Sequence, residues 1–164
     1  MSMFDLYSER SLQVIFLARL ESGARGAEMI DVDDLLAALI VEDQNKTPEF
    51  LEMLGRSGRF IGSTTHQPFL PPDVATSLLE SIQRSLPRSE SIPTSADMPT
   101  SLALQKTLAD AGDLRKKLQC KKLTPLHLLA ALLAGSHETV QSLRTTGITE
   151  ETVLALIGRE DQQP

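Results

Sequence analysis

The sequence contains one helical segment twice, at a fixed distance. Asp33-Asp34-Leu35-Leu36-Ala37-Ala38-Leu39-Ile40 returns as Leu126-His127-Leu128-Leu129-Ala130-Ala131-Leu132-Leu133, an offset of 93 positions. The offset holds without a gap back through Ala18/Ala111 to Ser8/Ser101. A duplication of this length marks two stacked copies of one supersecondary unit, which bury a common core that neither could bury alone. The chain is thereby restricted to folds in which two similar halves share an interior.

Within each copy the periodicity is helical. Ser8 is an N-cap for a long helix to about Gly23, with Ser11, Val14, Ile15, Ala18 and Ser22 on one face. Leu12, Phe16 and Leu20 widen that surface, which predicts cover on more than one side. The second copy starts at Ser101 and places Leu104, Thr107, Leu108, Ala111 and Leu118 on the matching face. Ala18 and Ala111 coincide, which predicts a close helix crossing where only a small side chain fits. Asp31 caps the next helix, with Asp33 and Asp34 in its first turn, where the helix dipole favours carboxylates. Thr124-Pro125 opens the twin of that helix, with Thr as N-cap and Pro at the first helical position. Both twins are apolar almost all round, as buried helices are.

Shorter helices are expected over Pro48–Leu54, stopping at Gly55, and Glu138–Thr145, stopping at Gly147. Closing helices follow over Asp73–Leu86 and Thr149–Ile157. The approach from Arg56 to Pro72, rich in Gly, Ser, Thr and Pro, reads as an ordered loop. Nine Ser, Thr or Pro among the 17 residues from Arg84 to Thr100 indicate a linker, in which Ile92 and Met98 are expected to touch the core. The predicted fold is all-α, with about eight helices in a tandem pseudo-two-fold repeat of two four-helix motifs. The first copy spans 1–86, the linker 87–100, the second copy 101–158 and a polar tail 159–164, all in one globular domain.

Composition excludes several functions. The formal charge is −6, whereas nucleic acids and anionic membranes select a Lys/Arg surplus. With five Phe, one Tyr and no Trp, the core must be built from Leu, Ala, Ile and Val. The longest apolar run, Leu35 to Val41, is too short to span a bilayer. Asp5, Glu9 and Arg10 interrupt the N-terminus before a secretory apolar stretch can form. A single cysteine, Cys120, excludes an internal disulfide and fits a reducing compartment, so the expected location is cytoplasmic.

Chemistry is equally sparse. The glycine cluster Gly55–Ser63 lacks the Lys of a phosphate-binding loop, so ATP-driven work by this chain is not expected. His66, His127 and His137 fall at no metal-ligand spacing, and His127, in the first turn of a buried helix, is expected to orient a hydrogen bond or pack in the core. Nothing nominates a base for Cys120 as a nucleophile. No catalytic residue, metal or cofactor is expected. The Asp31-Asp34 cluster has two readings, as helix caps or as the acid/base group of a hydrolase. Arg115, Lys116, Lys117, Lys121 and Lys122 likewise read either as a solvated helix end or as a docking patch for an acidic partner.

Taken together, Tyr7-Ser8-Glu9-Arg10-Ser11, then Val14-Ile15 and Ala18, then Asp33-Asp34-Leu35-Leu36 and Leu126-His127-Leu128-Leu129 resemble the Clp N-terminal domain. That module is the tandem Clp repeat preceding the ATPase rings of the Clp/Hsp100 chaperones, and the resemblance runs from about residue 4 to 158. It implies a non-enzymatic, protein-binding module that recognises substrates or adaptor proteins for a Clp ATPase/protease machine in proteolysis. The segment Ile92–Pro99 resembles the linker of stand-alone members without an ATPase module; the alternative is a detached N-terminal fragment of a full-length unfoldase. In some members the Glu of a Thr-Glu-His motif helps bind phosphoarginine-tagged substrates, with the hydroxyl that opens the first helix close by. The resemblance carries these roles onto Asp33 with Ser8, and onto Ser101 in the second copy, with Asp34 and His127 in the same motifs. Leu126 replaces the Glu of the second motif.

Overall fold

Ser8 and Ser101 open their helices in the same way. The Ser8 hydroxyl accepts a hydrogen bond from the Ser11 amide at 3.1 Å, and the Ser101 hydroxyl accepts one from the Leu104 amide at 3.0 Å. Each satisfies an amide that a helix start leaves unbonded. The computed structural model describes residues 4–53, 66–86, 89–90 and 98–161, with side chains as far as Arg159. Among these residues are eight helices: α1 (Glu9–Arg25), α2 (Val32–Asp43), α3 (Thr47–Met53), α4 (Pro72–Ser85), α5 (Leu102–Lys117), α6 (Pro125–Ala134), α7 (Glu138–Thr145) and α8 (Glu150–Asp161). The fold is all-α, as the sequence predicts. Among the described residues, no helix is long and apolar enough to cross a membrane.

Two isolated parallel bridges join the copies, Tyr7 with Leu123 and Ile30 with Thr100. The 93-residue offset exchanges one for the other, because Tyr7 maps onto Thr100 and Ile30 onto Leu123. The hydrogen bonds follow the same exchange. The Ser8 amide donates to the Leu123 carbonyl at 2.9 Å and the Leu123 amide to the Leu6 carbonyl at 2.8 Å. In the mate, the Ser101 amide donates to the Ile30 carbonyl at 2.9 Å and the Ile30 amide to the Pro99 carbonyl at 2.9 Å. Such an exchange is what a two-fold axis between the copies produces. The entry to α1 is therefore held by the entry to α6, and the entry to α5 by the entry to α2.

The interior is aliphatic. Leu35, Leu36, Leu39 and Ile40 of α2 are buried, as are Leu128, Leu129, Leu132 and Leu133 of α6. Ala18 and Ala111 are buried at their matching points on α1 and α5. Met98 packs against the core and its sulfur accepts a hydrogen bond from the Ser22 hydroxyl at 3.0 Å. Ile92, Gly55 and the glycine cluster 55–63 lie outside the described residues.

The expected faces need correction in two places. Leu12 and Phe16 are each 43% exposed, so the second covered side of α1 does not run through them. It is formed by Leu17 and Leu20 together with buried Gln13 and Glu21. Gln13 is drawn inward because its amide donates to Thr47 Oγ1 at 2.8 Å, which ties α1 to the start of α3. Leu118 is exposed because α5 ends at Lys117 and Leu118 is already the cap residue. Two helix ends also shift. α1 continues past Gly23 to Arg25, since Gly26 rather than Gly23 takes the left-handed conformation, at φ 72°. A side chain there would meet the Glu90 carbonyl at 2.2 Å. α8 runs to Asp161, beyond the expected end at Ile157.

α2 and α6 share a capping box whose third helical residue differs. The Asp31 amide donates to Asp34 Oδ2 at 2.9 Å, and the Thr124 amide donates to His127 Nδ1 at 2.9 Å. Asp34 also pairs with Arg25 at the end of α1, and both side chains are buried. A buried pair of this kind is far more costly to break than to replace whole. Replacing Arg25 by Ala is expected to cost about 3–5 kcal/mol in urea unfolding, because it strands a buried carboxylate. Burial pushes the Asp34 carboxyl upward, against the pull of Arg25 and of the Asp31 amide. Without Arg25 the folded-state pKa rises further above the unfolded one. Stability from a raised carboxyl is present below the unfolded pKa and is lost as pH climbs through the folded one. The deficit of Arg25→Ala should therefore widen from acid to neutral pH; a deficit independent of pH would contradict this account.

Candidate functional site

The segment His66–Leu70 is strapped to the end of α2. The Asn45 side chain donates to the His66 carbonyl at 2.9 Å and accepts from the His66 amide at 3.1 Å. Asp43 accepts from the Phe69 amide at 2.7 Å and from the Leu70 amide at 3.0 Å, while the Gln44 side chain donates to the Leu70 carbonyl at 2.9 Å. Asn45 makes the turn possible by adopting φ 57°, a left-handed conformation that Asn tolerates better than most residues. These bonds hold Pro68 and Phe69 against the junction of the two copies.

A groove of about 490 Å³ lies at that junction. Residues 66–70 form one wall, with Leu39 and Asp43 of α2 beside them. Pro125, Leu126 and Leu129 at the start of α6 form another, and Leu156 and Arg159 of α8 complete it. The volume falls within the range of ligand sites, and the lining is mainly leucine and proline, as such sites require. Leu126 occupies the place that Asp33 holds in the other copy. There Asp33 accepts a hydrogen bond from the Thr139 hydroxyl at 2.8 Å, which draws α7 over the start of α2. The groove thus marks a point at which the copies have diverged.

Arg10 sits on the rim and is held from below. Its guanidinium grips Glu42 with two bonds, at 2.8 and 2.7 Å, and also bonds His66 Nε2 at 2.8 Å. A guanidinium only donates, so Nε2 is the acceptor and the ring proton sits on Nδ1, 3.7 Å from Glu42. Glu42 is buried and Asp43 is bonded through both oxygens, so the carboxylates beside the groove are engaged internally.

The residues singled out in the sequence are dispersed. Ser8 stands against Leu123 at the start of α6, and Ser101 stands at the start of α2, where its hydroxyl donates to Asp31 Oδ1 at 2.7 Å. The Ser8 hydroxyl is engaged by Ser11 within α1, while its backbone amide reaches the entry to α6, and the hydroxyl bonded to the start of α2 is that of Ser101 from the other copy. Asp34 and His127, considered as partner contacts, are instead fully buried in the two capping boxes. Asp31 also caps the Val32 amide at 2.8 Å. None of the three carboxylates of the alternative hydrolase lines the groove. Among the described residues, no three His, Cys, Asp or Glu side chains gather where they could hold a metal ion.

Lys116, Lys117, Lys121 and Lys122 are exposed, and Arg115 turns back to donate to the Cys120 carbonyl at 2.8 Å. Tyr7, beneath the first bridge, is buried against Phe4 in an edge-to-face contact at 5.0 Å, and burial pushes its hydroxyl up to about 12. Sequence reasoning missed Arg10, His66, Phe69 and Arg159 as groove residues. The run Pro68-Phe69-Leu70-Pro71-Pro72 was the available signal, an apolar patch inside an otherwise polar loop.

Two solved structures share this arrangement. One is the N-terminal domain of the caseinolytic protease associated chaperone ClpD from Arabidopsis thaliana, with a TM-score of 0.60 at 22% identity, covering 93% of this chain and 94% of that one. The chain has a Clp N-domain-like fold. The other comes from preliminary structural investigations of a malarial protein secretion system, with a TM-score of 0.66 at 19% identity, covering 96% of this chain and 95% of that one. No family model and no curated protein matches the sequence. Both structural matches run nearly end to end, so the Clp N-domain-like fold takes in both copies and the groove between them.

Cys120 carries a thiol, 6% exposed, in the turn that Arg115 closes. A buried thiol is inert until its surroundings open. Native protein should react with a thiol reagent at least about tenfold more slowly than protein in urea, and equal rates would show that this turn does not stay closed.

Proposed function

We propose that the groove is a protein-recognition site, and that the chain binds exposed apolar segments of substrates or adaptor proteins on behalf of a Clp-type ATPase and its protease. The observation that carries this reading is the apolar groove at the junction of the copies, with Leu126 on its wall. An apolar side chain entering it is removed from water, at about 25 cal/mol per Å² of surface buried. The Clp N-domain-like fold supports the assignment to such a machine, since one solved relative is described as part of a protease-associated chaperone. Of the residues marked by resemblance for modified arginine, Ser8, Ser101 and Asp33 are part-exposed and stay in the proposal as additional contacts. Asp34 and His127 contribute through the caps that fix α2 and α6.

Labelled apolar peptides and fluorescence anisotropy test the reading. Leu126→Glu should weaken binding at least about tenfold, equivalent to about 1.4 kcal/mol, while leaving the helical circular dichroism unchanged. Leu102→Glu, at a site 83% exposed and away from the groove lining, serves as the control. Equal binding by the wild type and the Leu126 variant, or equal loss in both variants, would overturn the groove as the binding site.

A further inference from the structure

Five of the chain's 16 Lys and Arg residues fall within the eight positions Arg115–Lys122, which hold no Asp or Glu. The formal charge of −6 thus divides into +5 on this ridge and −11 on the rest of the molecule. Among the described residues, Lys116, Lys117, Lys121 and Lys122 form no ion pair. Cations at a helix C-terminus offset its dipole, and that accounts for Arg115, Lys116 and Lys117 in the last turn of α5. It does not account for Lys121 and Lys122, which lie beyond the helix end.

Along the chain the ridge runs on to the residues at one wall of the groove. Lys122 Nζ reaches the Asp5 carbonyl at 3.4 Å, the next residue pairs with Tyr7, and Pro125 and Leu126 line the groove. Three residues of chain span at most about 11 Å, so Lys122 and Pro125 are close enough to touch one bound segment. Leu118, 39% exposed, adds an apolar contact within the ridge.

We propose that ridge and groove form one bipartite docking surface for an extended protein segment in which an apolar anchor is flanked by Asp or Glu. The anchor enters the groove, and the carboxylates, about three to five residues away at 3.3 Å per residue, reach Lys121 and Lys122. This inference rests on the groove reading above and adds the charge requirement to it. A nucleic acid is the poorer occupant, because the net negative charge of the rest of the molecule repels a long polyanion and the groove presents mostly leucine and proline.

Full-length protein and four labelled probes test it: an apolar anchor with a Glu flank, the same peptide with Gln for Glu, the Glu flank with Ser for the anchor, and a single-stranded oligonucleotide. At low salt the Glu peptide should bind about tenfold more tightly than the Gln peptide, the size expected of two or three exposed ion pairs. The difference should shrink as salt screens the charges. Lys121→Glu combined with Lys122→Glu should abolish that difference and leave the Gln peptide's affinity unchanged. Equal binding of the Glu and Gln peptides by the wild type would overturn the ridge while leaving the groove in place. Loss of the Gln peptide in Leu126→Glu reports on the groove separately. Full affinity of the anchorless peptide, or tighter binding of the oligonucleotide, would equally defeat the bipartite surface.

Discussion

Helices α2 and α6 carry almost no polar face, and the rest of the molecule is arranged around covering them. A helix apolar on all sides needs neighbours on all sides. Each copy supplies one long partner, α1 along α2 and α5 along α6. The remaining surface is closed by α8 on α6 and α4 on α2, and by crossings between copies, with α2 against α5, α6 against α1, and α2 and α6 against each other. The two backbone bridges lock these crossings at the points where the chain enters α1, α2, α5 and α6. Ala18 and Ala111 are buried at the matching points of α1 and α5.

Within this symmetric frame the copies have taken different chemical routes. Both need an acceptor three residues after the cap to hold the start of the buried helix. One uses a carboxylate and balances its charge with Arg25; the other uses the imidazole of His127, and Leu118 stands at the position corresponding to Arg25. An imidazole accepts through one nitrogen without bringing a full charge into the core, so the second copy needs no buried cation. The same divergence touches the surface. Asp33 draws α7 towards α2, whereas Leu126 makes no such bond and lines the groove.

Much of the fold was legible in the residues. The caps Ser8, Asp31, Ser101 and Thr124 announce helix starts through side-chain chemistry alone, and all-round apolarity marks α2 and α6 as interior. The errors arose where tertiary partners override local pattern. Leu12 and Phe16 have the spacing of a buried edge, yet α3 offers Thr47 to Gln13 and turns that polar residue inward instead. The crossing of the entries was hidden as well, since the resemblance pairs Ser8 with Asp33 and only the dyad sets the Ser8 amide against the entry to α6. The groove was less legible still, because its wall comes from a loop whose position depends on Asp43 and Asn45 acting at a distance.

The crossed bridges also impose an order on the birth of the molecule. As the chain is synthesised, Tyr7 waits for Leu123, so the entry to α1 cannot be fastened until the second copy has been made past α5. Contacts between segments so far apart in sequence form slowly, and apolar surface such as that of α2 stays open in the meantime. The duplication therefore did not produce two autonomous halves. Each copy holds the missing edge of the other, and an excised half would lack the segment that fastens its own first helix.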